Sequence, residues 1–495
     1  MRLDRITLNN FRCFKNLEVE FHPRLTVLVG ENGAGKTAIL DGIAAGLSPI
    51  LRHLSSANQR LSAAGAGIKD TDFRIESWSN RGGKECWGAS DYAQVVVETT
   101  EGLKWDYWRP STAGKEPQHK IGETALAHTL AKISDSFKSA QPELLPVFAY
   151  YGVQRGRIEI PERLRSSKEN YAHPTSALVD ALDSLSNFKE MLKWFDIEES
   201  DELRINRGWD SQDFWPSPSL SAVRYSINIL LGSTYDNPHF NKDHKFVLNS
   251  PDDGPPLQVS QLSQGYQSTL ALGMDFARRL ALANGHLEYQ KFFPPLDDEK
   301  FDQINSLLLE VESFGWADNN EYPPEPLIAP AIMLVDEIDL HLHPSWQQRV
   351  LGDLMRTFPN TQFIVTTHSP QVLTTVPSES IRVLHNELNP ETGQFESWLE
   401  TPEQQTRGVS SADVLASAMS VDPVPNVPES AWLTQYRSLI QQGLQDSSEG
   451  LVLKDKLLRH FGERHPEILD CERMIRLEAF KRNLPPLGKS SPAEI

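Results

Sequence analysis

A chain of 495 residues, 39% of them hydrophobic, can bury more than one core. Its 67 acidic against 48 basic residues give a net charge of -19, which argues against a surface coated in nucleic acid and leaves room only for a local basic face. Cys13, Cys86 and Cys471 are far apart and form no C-x-x-C pair, so neither a zinc site nor a disulfide framework is indicated; with no apolar run approaching the ~18 residues that span a bilayer, the chain reads as cytoplasmic and without a membrane partner.

In chain order, ITL and LEVEF alternate like two short strands, with Leu17, Val19 and Phe21 inward, and LTVLV reads as a buried strand. It feeds GENGAGKT, Gly30 to Thr37, a G-x-x-x-x-G-K-T loop, after which Ile39, Ile43, Leu47 and Leu51 recur at helical spacing. Strand, loop and helix are the context a phosphate-binding loop needs. Glycines let main-chain amides approach phosphate oxygens, so Asn32, Gly33, Ala34, Gly35, Lys36 and Thr37 are expected to hold a nucleotide, with Lys36 on the β/γ-phosphates and Thr37 on Mg²⁺. Residues 56–90, rich in Gly, Ser and Ala, read as an exposed loop, and YAQVVVETTEGLKWDYW reads as a hairpin turning at Glu101-Gly102. Helical stretches follow over 176–236, among them SNFKEMLKWFDIEESDEL, and 287–326 reads as an acidic insertion containing a short helix, FDQINSLLLEVESF.

Ile332 to Val335 form an apolar run suited to a central strand that ends in Asp336 and Glu337. Two carboxylates there can divide the work: Asp336 orients the Mg²⁺ shell and Glu337 polarises the attacking water. A second buried strand, TQFIVTTHSPQVL, delivers His368 to the γ-phosphate. Between loop and carboxylates, VSQLSQGYQSTLALGMDFARRLAL sets Leu262, Ser263 and Gly265 before a helix whose Leu270, Met274, Ala277 and Ala281 face inward. Ser263 could be a simple helix cap or part of an anion-binding helix start.

This last stretch resembles the L-S-G-G-Q signature of ATP-binding-cassette ATPases, with Gln264 in place of the first glycine and Tyr266 in place of the glutamine. The resemblance implies that Ser263 and Gly265 of one head complete the nucleotide site of another, so a single-headed chain must form homo-oligomers through head-to-head ATPase dimers. It also implies a Mg²⁺-contacting glutamine after a strand, for which AYYGVQR offers Gln154, and a loop beyond the carboxylates in which Asp339 or His343 communicates across the dimer. The expected fold is α/β: an ABC-type P-loop ATPase head with a mixed sheet and a helical signature lobe, plus a small helical C-terminal region. Its divisions fall at 1–175 and 327–415 for the two parts of the head, 176–286 for the signature lobe, 287–326 for the insertion, and 416–495 for a helical region with Leu451, Leu453, Leu457, Leu458 and Phe461 on its apolar stripe, a candidate partner-docking segment.

Taken together, FRCF, the P-loop, AYYGVQR, FKEMLKWF, LSQGYQS, LVDEIDLHLHP, TTHSPQVL and RGVSSADVLASAM are similar to the stand-alone bacterial cassette ATPases related to RecF and the overcoming-lysogenization-defect (OLD) proteins, and within them to the PtuA-type ATPases of Septu antiphage systems and some retrons. That resemblance implies an ATP- and Mg²⁺-dependent ATPase that assembles with, and controls, a PtuB-like HNH endonuclease acting on DNA. Two rivals use the same head: a RecF-like repair ATPase and an OLD-type ATPase with its own Toprim nuclease. Residues 416–495 contain no D-x-D pair and are few for such a nuclease domain. Basic clusters at Arg155, Arg157, Arg163, Arg165 and Lys168, and at Lys454, Lys456, Arg459, Arg473, Arg476, Lys481 and Arg482, are interleaved with acids, a pattern that favours solvated helix faces over a phosphate track.

Overall fold

The computed structural model describes residues 1–55, 60–61, 67–79, 85–112, 114–139, 142–156, 171, 173–184, 188–208, 214–232, 234–250, 254–290, 306, 309, 323–389 and 395–482. Alternation of buried and exposed residues makes β1 (Leu3–Phe11) and β2 (Phe14–Glu20) an antiparallel pair, with Ile6 opposite Val19 and Leu8 opposite Leu17. β3 (Leu25–Gly30) is buried along its whole length before Gly30, as a strand covered on both faces must be. It runs through the P-loop into α1 (Lys36–Leu54).

In α1 the stripe Ile39, Ile43, Leu47 and Leu51 is buried, and so are Leu40, Ala44, Ala45 and Ile50 on its other sides. The reason is its place between two sheets. A Cβ on Gly42 would lie 2.6 Å from Leu8, and one on Gly46 would lie 2.6 Å from Val97. The Trp105 indole donates to the Gly46 carbonyl at 2.8 Å.

Residues 56–90 depart from the exposed loop expected of them. Leu61, Ile68 and Phe73 are buried, and β4 (Ile75–Ser79) pairs antiparallel with β5 (Glu85–Ala89). The small polar residues around these short strands hide their alternation. β6 (Tyr92–Thr99) and β7 (Lys104–Pro110) form the hairpin read from the sequence, turning through Gly102 at φ 79°, and join the first pair in a sheet ordered β2-β1-β6-β7. α2 (Thr124–Ser136) follows and leads to β8 (Val147–Tyr151), which is wholly buried.

The signature region begins with α3 (Phe188–Ile205) and α4 (Pro218–Leu230) and includes a small sheet of β9 (Asp236–Phe240), β10 (Phe246–Asn249) and β11 (Leu257–Gln258). α5 (Gln264–Ala283) buries Leu270, Met274, Ala277 and Ala281. Most of the acidic insertion at 287–326, with its expected helix, lies outside the described residues.

β12 (Ala331–Val335), β13 (Thr361–Thr366), β14 (Ile381–Leu388) and β15 (Phe395–Glu400) complete a six-stranded sheet ordered β15-β14-β3-β13-β12-β8. Its pairings are parallel except for β15, which runs antiparallel to β14 at the edge. The chain is therefore α/β with a mixed sheet. β3, β12, β13 and β8 all release their C-terminal ends on one edge, and the loops there carry the site.

The chain divides into two compact units, Met1–Met419 and Ser420–Ile495. Among the described residues, the second holds the helices Pro428–Gln442, Ser448–Phe461 and Pro466–Arg482, packed around Tyr436, Ile440, Leu453, Leu457, Ile468 and Cys471. Leu451, expected on the apolar stripe, is 54% exposed, while Leu458 and Phe461 are partly buried. The helix packs through positions 453 and 457, a narrower seam than the sequence pattern implied.

Candidate nucleotide site

The loop between β3 and α1 has the backbone its glycines permit. Gly33 has φ 81° and Gly35 has φ 113°, conformations strained for a side-chain-bearing residue, and Gly35 opens α1. Asn32 and Gly33 are exposed, Ala34 is buried, and Gly35 lies against Phe14 and Cys13. The Lys36 ammonium donates to the carbonyls of Gly30 and Glu31, each at 2.9 Å, across the loop it closes. Burial pulls its pKa below the ordinary lysine value, against the opposing effect of Asp336, Glu337 and Asp339.

The next element of the site comes from residues 299 apart in sequence: the Thr37 hydroxyl donates to one Asp336 carboxylate oxygen at 2.9 Å. The other oxygen accepts from the Thr366 hydroxyl at 2.6 Å, and that same hydroxyl oxygen accepts the Glu337 amide at 2.7 Å. Hard oxygen donors on Thr37 and Asp336 suit Mg²⁺, which keeps waters and takes phosphate oxygens for the rest of its shell. Among the described residues no group of three or more His, Cys, Asp and Glu side chains could hold a metal alone. A Mg²⁺ brought by a nucleotide fits this donor set; an all-protein cage does not.

Glu337 is half-buried and has φ 47°, a left-handed backbone uncommon for a residue with a long side chain. Asp339 accepts a bond from the Thr367 hydroxyl at 2.5 Å, joining the loop after β12 to the end of β13. His343 caps the short helix Pro344–Gln347 through Ser345. His368 lies two residues past the end of β13 and is half-buried.

Gln154 is exposed in a 3-10 turn, Val153–Gly156, immediately after β8. Its neighbour Arg155 corrects the sequence reading, which placed it in a solvated basic cluster. It is 4% exposed, and its guanidinium donates to main-chain carbonyls of Gly152, Asp336 and Glu337. Arg157, Arg163, Arg165 and Lys168 lie outside the described residues. Nothing local distinguishes Arg155, because its partners Asp336 and Glu337 are 181 and 182 positions away.

Ser263 is exposed at the start of α5, and its side chain makes no capping bond. A Cβ on Gly265 would lie 2.7 Å from the His341 carbonyl, so the signature helix abuts the loop after β12 within one chain. Tyr266, where cassette signatures have glutamine, packs edge-on to Trp346 at 4.4 Å and to Tyr235 at 5.4 Å. The structure thus gathers Gly30 to Thr37, Asp336, Glu337 and Arg155 into one hydrogen-bonded cluster. Ser263 and Gly265 belong instead to the start of α5, Ser263 exposed and Gly265 buried against the loop after β12.

Sheet order, P-loop and carboxylate pair define an α/β fold of the P-loop ATPase class. Comparison with known proteins agrees on the ATPase domain. A model described as "AAA domain" matches residues 5–207, and one described as "AAA domain, putative AbiEii toxin, Type IV TA system" matches residues 128–374. The chain is 25% identical to the Retron Vc95 probable ATPase of Vibrio cholerae, covering 93% of this chain and 88% of that one. It is 28% identical to the Retron Ec83 probable ATPase of Escherichia coli, covering 97% and 87%. Similarity to the Septu protein PtuA of Bacillus mycoides is confined to 11% of this chain and 8% of that one, at 45% identity. Among solved structures, an Smc head bound to the C-winged helix domain of ScpA overlaps 81% of this chain and 98% of its own, at 16% identity and a TM-score of 0.38.

Proposed function

We propose that the chain is the ATP-binding and ATP-hydrolysing subunit of a bacterial antiphage defence complex, assembling through its heads and controlling a PtuB-like HNH endonuclease that cleaves DNA in trans. The observation that carries the ATPase reading is the chain of hydrogen bonds from Thr37 through Asp336 and Thr366 to the Glu337 amide. The defence context is supported by similarity along nearly the whole chain to two retron ATPases.

When bound, ATP with Mg²⁺ supplies the phosphoanhydride and the cation that neutralises its charge. The chain's own residues do the rest. Amides of Asn32 to Lys36 hold phosphate oxygens, and Lys36 exchanges its two carbonyl partners for the β/γ-phosphates. Thr37 and Asp336 present hydroxyl and carboxylate oxygens to the metal. Glu337 would accept a hydrogen bond from the attacking water and orient it, Gln154, in the turn after β8, would face the metal, and His368 would contact the γ-phosphate. Ser263 and Gly265, exposed hydroxyl and helix start, serve the site of the facing head.

A second reading, a RecF-like repair ATPase, is supported by 23% identity to RecF of Heliobacterium modesticaldum over 74% of this chain and 93% of that one. The two separate on one experiment. The purified chain should hydrolyse ATP and leave DNA uncut, Glu337→Gln should bind ATP but turn it over at least ~100-fold more slowly, and nuclease activity should arise only when a PtuB-like HNH subunit is added. Wild-type turnover by Glu337→Gln would remove that residue from its role. DNA cleavage by the chain alone, lost on mutation within it, would replace the model with an OLD-type nuclease; absence of any HNH partner would favour the repair reading.

A further inference from the structure

A buried arginine whose guanidinium, among the described residues, is hydrogen-bonded to main-chain oxygens rather than to a carboxylate needs an explanation, because desolvating that cation is costly and the nearby charges of Asp336, Asp339 and Glu337 oppose that cost without a hydrogen bond to it. Arg155 sits in the 3-10 turn Val153–Gly156, which follows β8, the strand next to β12 in the sheet. One guanidinium nitrogen donates to the Gly152 carbonyl at 3.1 Å, within its own turn, and to the Asp336 carbonyl. The other donates to the Glu337 carbonyl at 2.5 Å. The planar fork thus spans two consecutive peptides of the carboxylate turn, a geometry that lysine's single ammonium cannot reproduce.

The same turn holds Glu337 at φ 47°, where a residue other than glycine persists only if its surroundings enforce it. Its amide is held by the Thr366 hydroxyl and its carbonyl by Arg155, with the Leu340 amide also donating to that carbonyl at 2.9 Å. Thr366 belongs to β13 and Leu340 to the same loop. Arg155 therefore ties the carboxylate turn to the β8 side, where Gln154 is its immediate neighbour.

We propose that Arg155 is a positioning residue for ATP hydrolysis: its guanidinium clamps the Asp336–Glu337 main chain to the turn after β8, fixing the left-handed backbone that aims the Glu337 carboxylate. The inference rests on the reading of Glu337 as the group that orients water. Binding of nucleotide does not need the clamp, since the P-loop amides and Lys36 lie on other elements.

The test uses the full-length chain with Arg155→Met, which removes the guanidinium donor from three carbonyls while the main-chain donors to Gly152 and Glu337 remain, and Arg155→Lys, which keeps the charge. In Arg155→Met, kcat should fall on the order of 10- to 100-fold, as for loss of an outer-shell partner, with nucleotide Kd changed less than about twofold. Arg155→Lys should lie between it and the wild type. In a Glu337→Gln background, Arg155→Met should add almost no further loss, because both changes disable one function. Equal multiplicative losses in the two backgrounds, an unchanged kcat, or a fall in nucleotide affinity matching the fall in rate would overturn the proposal. A crystal structure of Arg155→Met gives a readout independent of turnover: Glu337 should leave the positive-φ region, and a Glu337 still near φ 47° would refute the clamp. If the wild-type chain does not hydrolyse ATP, the ATPase reading fails by itself, and that structure still decides the clamp.

Discussion

Asp275 shows how one buried charge fixes the helix behind the signature to the sheet. Burial alone would raise its pKa, but the guanidiniums of Arg279 and Arg278 and the Tyr151 hydroxyl overcome that effect and bring it from 3.8 to about 2. The bonds are 2.7 Å from Arg278, 2.7 Å from Arg279 and 2.9 Å from Tyr151 at the end of β8. A folded-state pKa below the unfolded value stabilises the ionised form, so the contribution is whole above about pH 4 and is lost as pH falls toward 2. It amounts to about 2 kcal/mol on that shift. Asp275→Asn should therefore lower stability at neutral pH by roughly 3–5 kcal/mol, since it strands two buried cations, and should flatten the acid limb between pH 4 and 2. Chemical denaturation at several pH values measures both, and an acid limb as steep as in the wild type would assign it to other carboxylates. None of this network was read from the sequence, and neither was Arg155. The backbone of the loop from Gly30 to Thr37 was legible because these residues are contiguous and their spacing itself encodes it. Arg155 and Asp275 take their meaning from partners on other elements, the strand-end carboxylate turn for one and β8 for the other.

At the scale of elements, strands and helices with a single periodicity were legible, and those shaped by two neighbours were not. β1 and β2 follow their alternation and β3 its continuous apolar run, whereas α5 is buried well beyond the stripe of Leu270, Met274, Ala277 and Ala281. α1 shows one stripe in sequence yet is buried on further sides, because small Gly42 and Gly46 let β1 and β6 approach it. β4 and β5 were missed because Gly, Ser and Ala surround a few paired residues. The start of α5 is a third such case. Gly265 there was noted for what it offers a phosphate, but the structure gives it a packing reason as well: the His341 carbonyl leaves no room for a methyl. Gly265→Ala should push α5 away from the loop after β12, costing roughly 1–3 kcal/mol as an overpacked contact and slowing ATP turnover while single-chain nucleotide binding persists. Thermal melts and turnover assays on the same preparation check it. A variant with wild-type melting and turnover would mean that the loop yields without consequence.

At the scale of the whole molecule, the P-loop, carboxylate turn, Arg155, signature helix and His368 all lie in the unit Met1–Met419, whereas Ser420–Ile495 has its own small apolar cluster. Among the described residues six buried side chains make a thin core for these helices, and Leu451, Val452, Leu469, Leu477 and Phe480 remain 48–63% exposed on them. Exposed leucines and phenylalanine at helical spacing suit contact with a partner better than solvent. Basic residues Lys454, Lys456, Arg459, Arg473, Arg476 and Lys481 are exposed on the same helices, but Arg459 is paired with Asp455, Arg473 with Asp470, and Lys481 with Glu478. Such pairing weakens the case for a phosphate track and leaves the apolar face as the better candidate for docking. A chain ended after Met419 should therefore bind ATP within about twofold of the full chain, because every group in the nucleotide cluster is retained, and should still self-associate when ATP is present. It should fail to retain the HNH subunit in a pull-down that the full chain supports. Retention by the shortened chain would place the partner surface on residues 1–419, and loss of ATP binding would show that the C-terminal helices support the head itself.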